Sequence, residues 1–476
     1  MQLNKPVRDF AFYLSGSLIV ALVAIIRLPV FTSHFTPAEL GIYSLVSITY
    51  TYFSLVLYNW ITSCIYRYFQ EYRNGHHRNV FVTNIVFLVI LSSLLLFMIS
   101  AGWYFVAGTK TERSLVTLAF FYLLLNQLFS MFLVVFKLQG KSVRYNFYQA
   151  VQAVLSFLVI LFLIFRMQFS TEALFGGSII ITFLLLIVLF IRHRTLWSQL
   201  SPAYISLPLI QRFLKYGFVG FLSAAGVFIL VSSDRYVIAL YEDMSSVGIY
   251  NQVYQVGQVS VYFLVTVFFN AITPGLNKLL TGDDPEKGKQ LEGYVKAFML
   301  LVLPITFYLS LFSKQVAEFL LGVEFRSGYP MIPWIMASSW LYGLALFNET
   351  KLKFENRFRP VVLGVFIACV LNVGLNFLVI PWLGYAWAAV TTFVAYAFLY
   401  LFYYFSDNLR YFRMGHFRTS ILIFAVLGIQ FLADLAIRRG LGMELNKWIT
   451  LVEAAVFMSM YALVVLRLKL AGSLLR

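Results

Sequence analysis

Charge is scarce in this chain. Of its 476 residues, 12% are Asp, Glu, Lys or Arg, against about 25% in a soluble globular domain. Hydrophobic residues make up 61% and aromatic residues 18%, with a mean hydropathy of +0.82. A soluble domain is excluded, and the chain reads as an integral membrane protein. Cysteine is scarcer still. Cys64 and Cys369 both lie in apolar runs, which rules out a disulfide framework and leaves no metal-ligand spacing. There is no GxxxxGK[ST] phosphate loop, so direct drive by ATP is not expected. No cleavable signal is apparent: the first apolar run is too long for a signal core and no cleavage site follows it. The longest polar connection is about twenty residues, and it lacks the acidic cluster that a membrane-bound glycosyltransferase or polymerase needs in an extramembrane domain. The expectation is a protein that is not an enzyme and uses neither cofactor nor metal.

What the chain has in abundance is apolar length. A spanning helix needs about 20 apolar residues, and such runs alternate with short polar connections throughout. This predicts an all-α integral membrane protein of about fourteen transmembrane helices. Residues 1–195 form a six-helix lobe, 196–212 a connection containing Pro202 and Pro208, 213–405 a second six-helix lobe, and 406–476 two additional helices. The net charge of +16 would suggest nucleic acid in a soluble protein. Here basic loops account for it, and no nucleic-acid partner is expected. Assigning alternate loops to two sides puts 26 basic residues on the N-terminal side and 10 on the other. Both termini are therefore expected in the cytoplasm.

The chain also repeats itself. Gly41-Ile42-Tyr43 opens one apolar run and Gly248-Ile249-Tyr250 opens another, 207 residues later. Ser44, Ser47, Thr51, Ser54 and Tyr58 recur at helical spacing in the first run; Asn251, Gln255, Gln258, Tyr262 and Thr266 do so in the second. Steps of three and four predict one polar face on each helix. Lys137-x-x-x-Lys141 is matched by Lys353-x-x-x-Arg357 at an offset of 216, and the same offset aligns Ser156 with Asn372. Two parallel six-helix repeats, related by an axis along the membrane normal, are the reading. Each would turn a polar stripe toward a shared interior.

The run Pro29–Ile48, PVFTSHFTPAELGIYSLVSI, followed by Ile65-Tyr66-Arg67-Tyr68-Phe69, resembles the start of Wzx-type polysaccharide flippases. Ser233-Asp234-Arg235-Tyr236 and Val247-Gly248-Ile249-Tyr250 repeat the resemblance in the second half. The wider superfamily includes multidrug exporters and the lipid II flippase. The resemblance implies transport of an undecaprenyl-pyrophosphate-linked oligosaccharide from the cytoplasmic to the outer leaflet, in a bacterial inner membrane, for making polysaccharides such as O-antigen. It implies as partners that lipid-linked oligosaccharide, membrane lipids, a polysaccharide polymerase and a chain-length regulator. The position before the first turn, often basic in the family, is Ser33 here, while Arg27 lies deeper in the first span.

For such a substrate the lumen needs hydroxyls and amides for sugars and cations for the diphosphate. The lumen candidates are Arg27, Arg235, Asn251, Gln255, Gln258, Ser44, Ser47 and Thr51. For the polar residues the alternative is hydrogen bonding between helices; for Arg27 it is snorkelling to the interface. Arg67, Lys137, Lys215 and Lys353, with Lys141 and Arg357, lie at span ends that could receive the diphosphate from the cytoplasmic leaflet, or could mark topology and bind anionic lipid. Asp234 and Glu453 are acids inside spans, with coupling or structural roles. A cation-coupled drug exporter would want acidic excess in its lumen, and the deep charges, Arg27, Arg235, Asp234 and Glu453, show none.

Overall fold

The computed structural model describes residues 5–72, 75–194, 199–281, 287–406, 417–441 and 447–467. Among them every regular element is a helix. Hydrocarbon offers no hydrogen-bond partner to a peptide group, so a spanning chain must satisfy its backbone within itself. In chain order the α-helices are α1 (Lys5–His34), α2 (Pro37–Ser54), α3 (Trp60–Tyr68), α4 (Gly75–Val106), α5 (Lys110–Leu138), α6 (Ser142–Phe165), α7 (Glu172–Arg192), α8 (Leu207–Tyr241) and α9 (Met244–Gly257). They continue as α10 (Phe263–Thr281), α11 (Lys287–Leu311), α12 (Ser313–Leu320), α13 (Ile332–Phe354), α14 (Phe358–Leu383), α15 (Ala388–Ser406), α16 (Phe417–Leu441) and α17 (Lys447–Arg467). Eleven helices among the described residues are long and apolar enough to cross a membrane.

Two of these helices carry a flaw in the same part of the repeat. A π turn at Leu55–Asn59 joins α2 to α3, and another at Gln258–Tyr262 joins α9 to α10. Each π turn accommodates an extra residue without breaking the rod. Nothing in the residue pattern announces either one. The stretch between α11 and α13 also departs from the pattern, which predicts a tenth span from Tyr329 to Phe347. Instead α12 and a 3-10 turn at Val323–Met331 precede a helix that starts at Ile332. The break falls beside Pro330 and Pro333; proline at the start of a helix loses nothing there, because its missing N–H would be unpaired anyway.

The repeat is visible in the helix ends. Thr36 and Asp243, 207 residues apart, cap the helices that follow α1 and α8. Thr36 Oγ1 accepts from the Glu39 N–H at 3.4 Å while Glu39 accepts from the Thr36 N–H at 2.9 Å, a reciprocal capping box. Asp243 Oδ1 accepts from the Ser246 N–H at 2.7 Å. Gly140 (φ 68°) and Asn356 (φ 57°) follow α5 and α13 at the 216-residue offset. Gln168 (φ 57°) and Gly384 (φ 88°) follow α6 and α14 at the same offset. A left-handed residue closes a helix by satisfying its last carbonyls, so these joints are built alike in both halves.

The chain divides into two compact units: residues 1–27 with 35–232, and residues 28–34 with 233–476. The interior of the first is held by Tyr50, whose hydroxyl bonds Ser100 Oγ at 2.8 Å and the Val116 carbonyl at 2.9 Å. Small residues let its helices touch, as at Gly177, where an added Cβ would fall 2.8 Å from the Ile160 backbone nitrogen. In the second unit Tyr308 ties α11 to the last two helices, bonding Gln430 at 2.6 Å and the Phe457 carbonyl at 3.1 Å.

Within the second unit, the Gly322 N–H donates to Thr32 Oγ1 at 2.8 Å. A Cβ on Gly322 would lie 1.9 Å from the Thr32 carbonyl oxygen. Gly322→Ala is expected to destabilise the protein by about 1–3 kcal/mol, the usual range for overpacking. Gly102, with open space around it, provides the control. Thermal unfolding in detergent should show a lower midpoint for Gly322→Ala and no such drop for Gly102→Ala; equal midpoints would mean that the Thr32 segment yields freely.

Candidate functional site

A densely bonded polar cluster lies in the second unit and centres on Asp234, on α8, which is 0% exposed. A carboxyl this far from water needs partners for each oxygen. Oδ1 accepts from Asn376 Nδ2 at 2.8 Å. Oδ2 accepts from the Tyr250 hydroxyl at 2.5 Å and the Thr392 hydroxyl at 2.9 Å. The neighbouring Arg235, 3% exposed, reaches Oδ2 at 3.9 Å and sends Nε to Asn251 Oδ1 at 3.4 Å. Its guanidinium is centred 3.9 Å from the Tyr254 ring and 5.0 Å from the Tyr250 ring, so two aromatic faces share the charge with the carboxyl. Asn372 extends the network to Ser233 and Thr392, and Thr391 bonds Asn376 Oδ1. Helices α8, α9, α14 and α15 all contribute.

Sequence reasoning singles out Asp234, Arg235 and Asn251, and aligns Asn372 with Ser156. It misses Asn376, Thr391, Thr392 and Tyr254. A signal is present for Asn376, which lies one helical turn from Asn372 on α14. Lys351, buried to 1% on α13, also escapes it, because the expected tenth span stops short of that residue.

The two stripes are not single open surfaces. On the first, Thr51 is exposed, Ser47 half-buried and Ser44 buried. Tyr58, past the start of the π turn, is enclosed and bonds Ser93 at 3.0 Å, and Ser54 bonds Gln127 at 3.2 Å. Exposure is uneven already among the four residues before the π turn, and only Tyr58 falls within it. On the second stripe, Asn251 is buried, Gln258 half-buried and Gln255 exposed. Tyr262 stacks on Tyr342 at 5.9 Å between ring centroids, and Tyr342 meets Tyr396 edge-on at 5.7 Å.

Arg27 is half-buried in the first unit, within electrostatic reach of Tyr43 and Tyr122. The 207-residue offset carries Arg27 onto Asp234 and Tyr43 onto Tyr250. The same two-helix joint thus holds a cation beside tyrosine in one repeat and an acid beside tyrosine in the other. Arg67, Lys137, Lys215 and Lys353 are all exposed. Lys137 lies 5.9 Å from the Tyr66 ring, Arg67 6.0 Å from the Tyr68 ring, and Lys353 pairs with Glu349 at 2.5 Å. Glu453, on α17, is half-buried beside the Asp434–Arg438 pair, which closes at 2.8 Å.

A family model described as polysaccharide biosynthesis protein matches residues 7–280, more than half of the chain. The chain belongs to the polysaccharide biosynthesis protein family. Among solved structures, this family member resembles the lipid II flippase MurJ in its inward closed conformation: TM-score 0.73 and 15% identity, over 98% of this chain and 99% of that one. It also resembles an inward-facing multidrug resistance MATE transporter of the MOP superfamily, with TM-score 0.52 and 15% identity over 83% and 98% of the two chains. A MOP-superfamily transporter from Pyrococcus furiosus gives TM-score 0.53 and 14% identity over 84% and 93%. At these identities the likeness establishes a shared fold alone. No curated protein matches the sequence.

Breaking a buried ion pair by removing one partner costs about 3–5 kcal/mol. Asp234→Asn, which leaves Arg235 in the interior without its carboxylate, is expected to lower the unfolding midpoint strongly. Asp234→Asn with Arg235→Gln should recover part of that loss, since no net charge is then stranded. A double variant as unstable as the sum of both single ones would exclude the pairing as the source of the effect.

Proposed function

We propose that this polysaccharide biosynthesis protein is a flippase for an undecaprenyl-pyrophosphate-linked oligosaccharide, moved from the cytoplasmic to the outer leaflet by alternating access. The observation that carries the reading is the family match over residues 7–280, joined to a fold shared with a lipid II flippase along 98% of the chain. The physical demand is severe: a sugar diphosphate must cross about 30 Å of hydrocarbon. Asn251, Gln255 and Gln258, with Ser44, Ser47 and Thr51, are the polar groups we assign to the sugars. Arg27 is the cation we assign to the diphosphate; arginine stays protonated and forks two hydrogen bonds to phosphate oxygens. Arg235 could join it only when its cage of Asp234, Tyr250 and Tyr254 opens. Arg67, Lys137, Lys215 and Lys353, exposed at span ends, are assigned to first capture of the headgroup. Asp234 and Glu453 are the acids whose protonation could couple transport to a gradient. A polysaccharide polymerase and a chain-length regulator are the partners this role would need.

We further propose fourteen spans with both termini cytoplasmic in a bacterial inner membrane. Support comes from the 26-to-10 division of basic residues and from α1, α8 and α17, long helices of 30, 35 and 21 residues. Single cysteines in the 70–79 and 281–290 connections should resist an impermeant thiol reagent in intact cells and react after permeabilisation. Labelling of either in intact cells would reverse the orientation.

The transport reading is tested by glycan export in a strain lacking the native flippase. Removing a charge-assisted contact costs about 1.5–3 kcal/mol, roughly tenfold or more in affinity. Arg27→Gln is therefore expected to cut export about tenfold at normal protein level, with Arg27→Lys retaining part of it. Asn251, Gln255 and Gln258 replaced together by Ala should reduce export more than expression. Export unchanged in both variants, or drug efflux with no glycan export, would sink the reading.

A further inference from the structure

The first unit contains a cavity of about 800 Å³, within the size range of small-molecule sites. Its walls are almost wholly apolar, among them Phe81, Ile85 and Val89 of α4 and Met131 and Val135 of α5. One end is different. Arg78, Gln139, Lys141 and His193 converge there, and among the described residues no Asp or Glu lines the cavity. Along α4 the lining runs from Arg78 to Ile90, twelve residues, or about 18 Å at 1.5 Å per residue. That is close to one leaflet of hydrocarbon, about 15 Å. Ile90, at the far end, is 55% exposed, so the apolar end opens at the surface of the span.

The basic end is short of partners. Arg78 Nε and His193 Nε2 are buried with no hydrogen-bond partner among the described residues, and a buried donor or acceptor left unpaired carries its full desolvation penalty. Lys141 Nζ donates to Gln139 Oε1 at 2.5 Å and remains exposed. Burial, then the charges of Arg192, Lys141 and Arg144, hold the His193 imidazole below its ordinary pKa. Among the described residues the charged lining of this end is all basic. An anion would relieve both this charge and the unpaired nitrogens.

We propose that this cavity binds an anionic membrane phospholipid, with the phosphate held by Arg78, Lys141 and His193 and one acyl chain lying between α4 and α5. A leaflet-length apolar slot capped by cations fits a molecule whose chain ends where its charged head begins. The site is built entirely from the first unit and is separate from the residues assigned to the transported sugar.

The test uses the full-length protein, delipidated in detergent and titrated with phosphatidylglycerol, phosphatidylcholine or undecaprenyl phosphate, bound lipid being counted by native mass spectrometry. Phosphatidylglycerol should bind at least roughly tenfold tighter than phosphatidylcholine, the margin expected of a charge-assisted contact. Replacing Arg78, Lys141 and His193 together by Gln should erase that margin, and Val86→Trp, which fills the slot, should abolish binding of phosphatidylglycerol. Equal binding of the two phospholipids by the native protein would overturn the proposal, as would full retention of phosphatidylglycerol by Val86→Trp. Tighter binding of undecaprenyl phosphate than of phosphatidylglycerol would also overturn it, in favour of a substrate site. If the triple variant does not fold, the native comparison of the two phospholipids decides alone.

Discussion

Polar groups inside hydrocarbon have no water to fall back on, and this constraint runs through every level of the molecule. It makes the fold all-helical. It turns hydroxyls inside the spans back on their own helices: Thr32, Thr49, Thr51, Ser63 and Ser93 each donate to the carbonyl four residues earlier, at 2.7–2.9 Å. It also explains why Asp234 and Arg235 can occupy an apolar span at all. Their charges meet each other, three further side chains close on the carboxyl, and two tyrosine rings flank the guanidinium. The wanted property of such a cluster is its completeness, since a half-satisfied buried network is worse than an apolar one.

The two repeats meet this constraint differently. Asn372 is stitched into the network by Ser233 and Thr392. Its counterpart Ser156 is buried, its hydroxyl without a hydrogen-bond partner among the described residues. Arg27 is half-buried where Asp234 is sealed. One half holds a closed polar core at this position; the other holds a half-buried cation. That asymmetry suits a carrier in which one half provides a rigid frame and the other a charged contact.

Much of this is legible in the residues. The doubled Gly-Ile-Tyr and the Lys-x-x-x-Lys pair yield offsets of 207 and 216, and the same offsets reappear in the caps at Thr36 and Asp243 and the left-handed residues Gly140 and Asn356. Those features are local: a turn records its own requirements in nearby residues. The illegible part is non-local. Asn376, Thr391 and Thr392 are ordinary polar residues in apolar runs until α14, α15 and α8 bring them to one carboxyl. Lys351 does not stand out in the sequence, and only the fold shows it buried. The slot above Arg78 and His193 is made by gaps among Ile, Val and Phe, and no single residue spells it.

The π turns carry a consequence for how the two halves correspond. The first begins at Leu55 and the second at Gln258, which the 207-residue offset places four residues earlier in its repeat. Before the earlier insertion and after the later one, matched positions in the two halves point the same way. Over the single turn between, they are out of phase by about one residue, or 100°. Residue-for-residue equivalence is thus lost over one short window and restored beyond it. Substitutions transferred from one half to the other will keep their facing everywhere along these two rods except there.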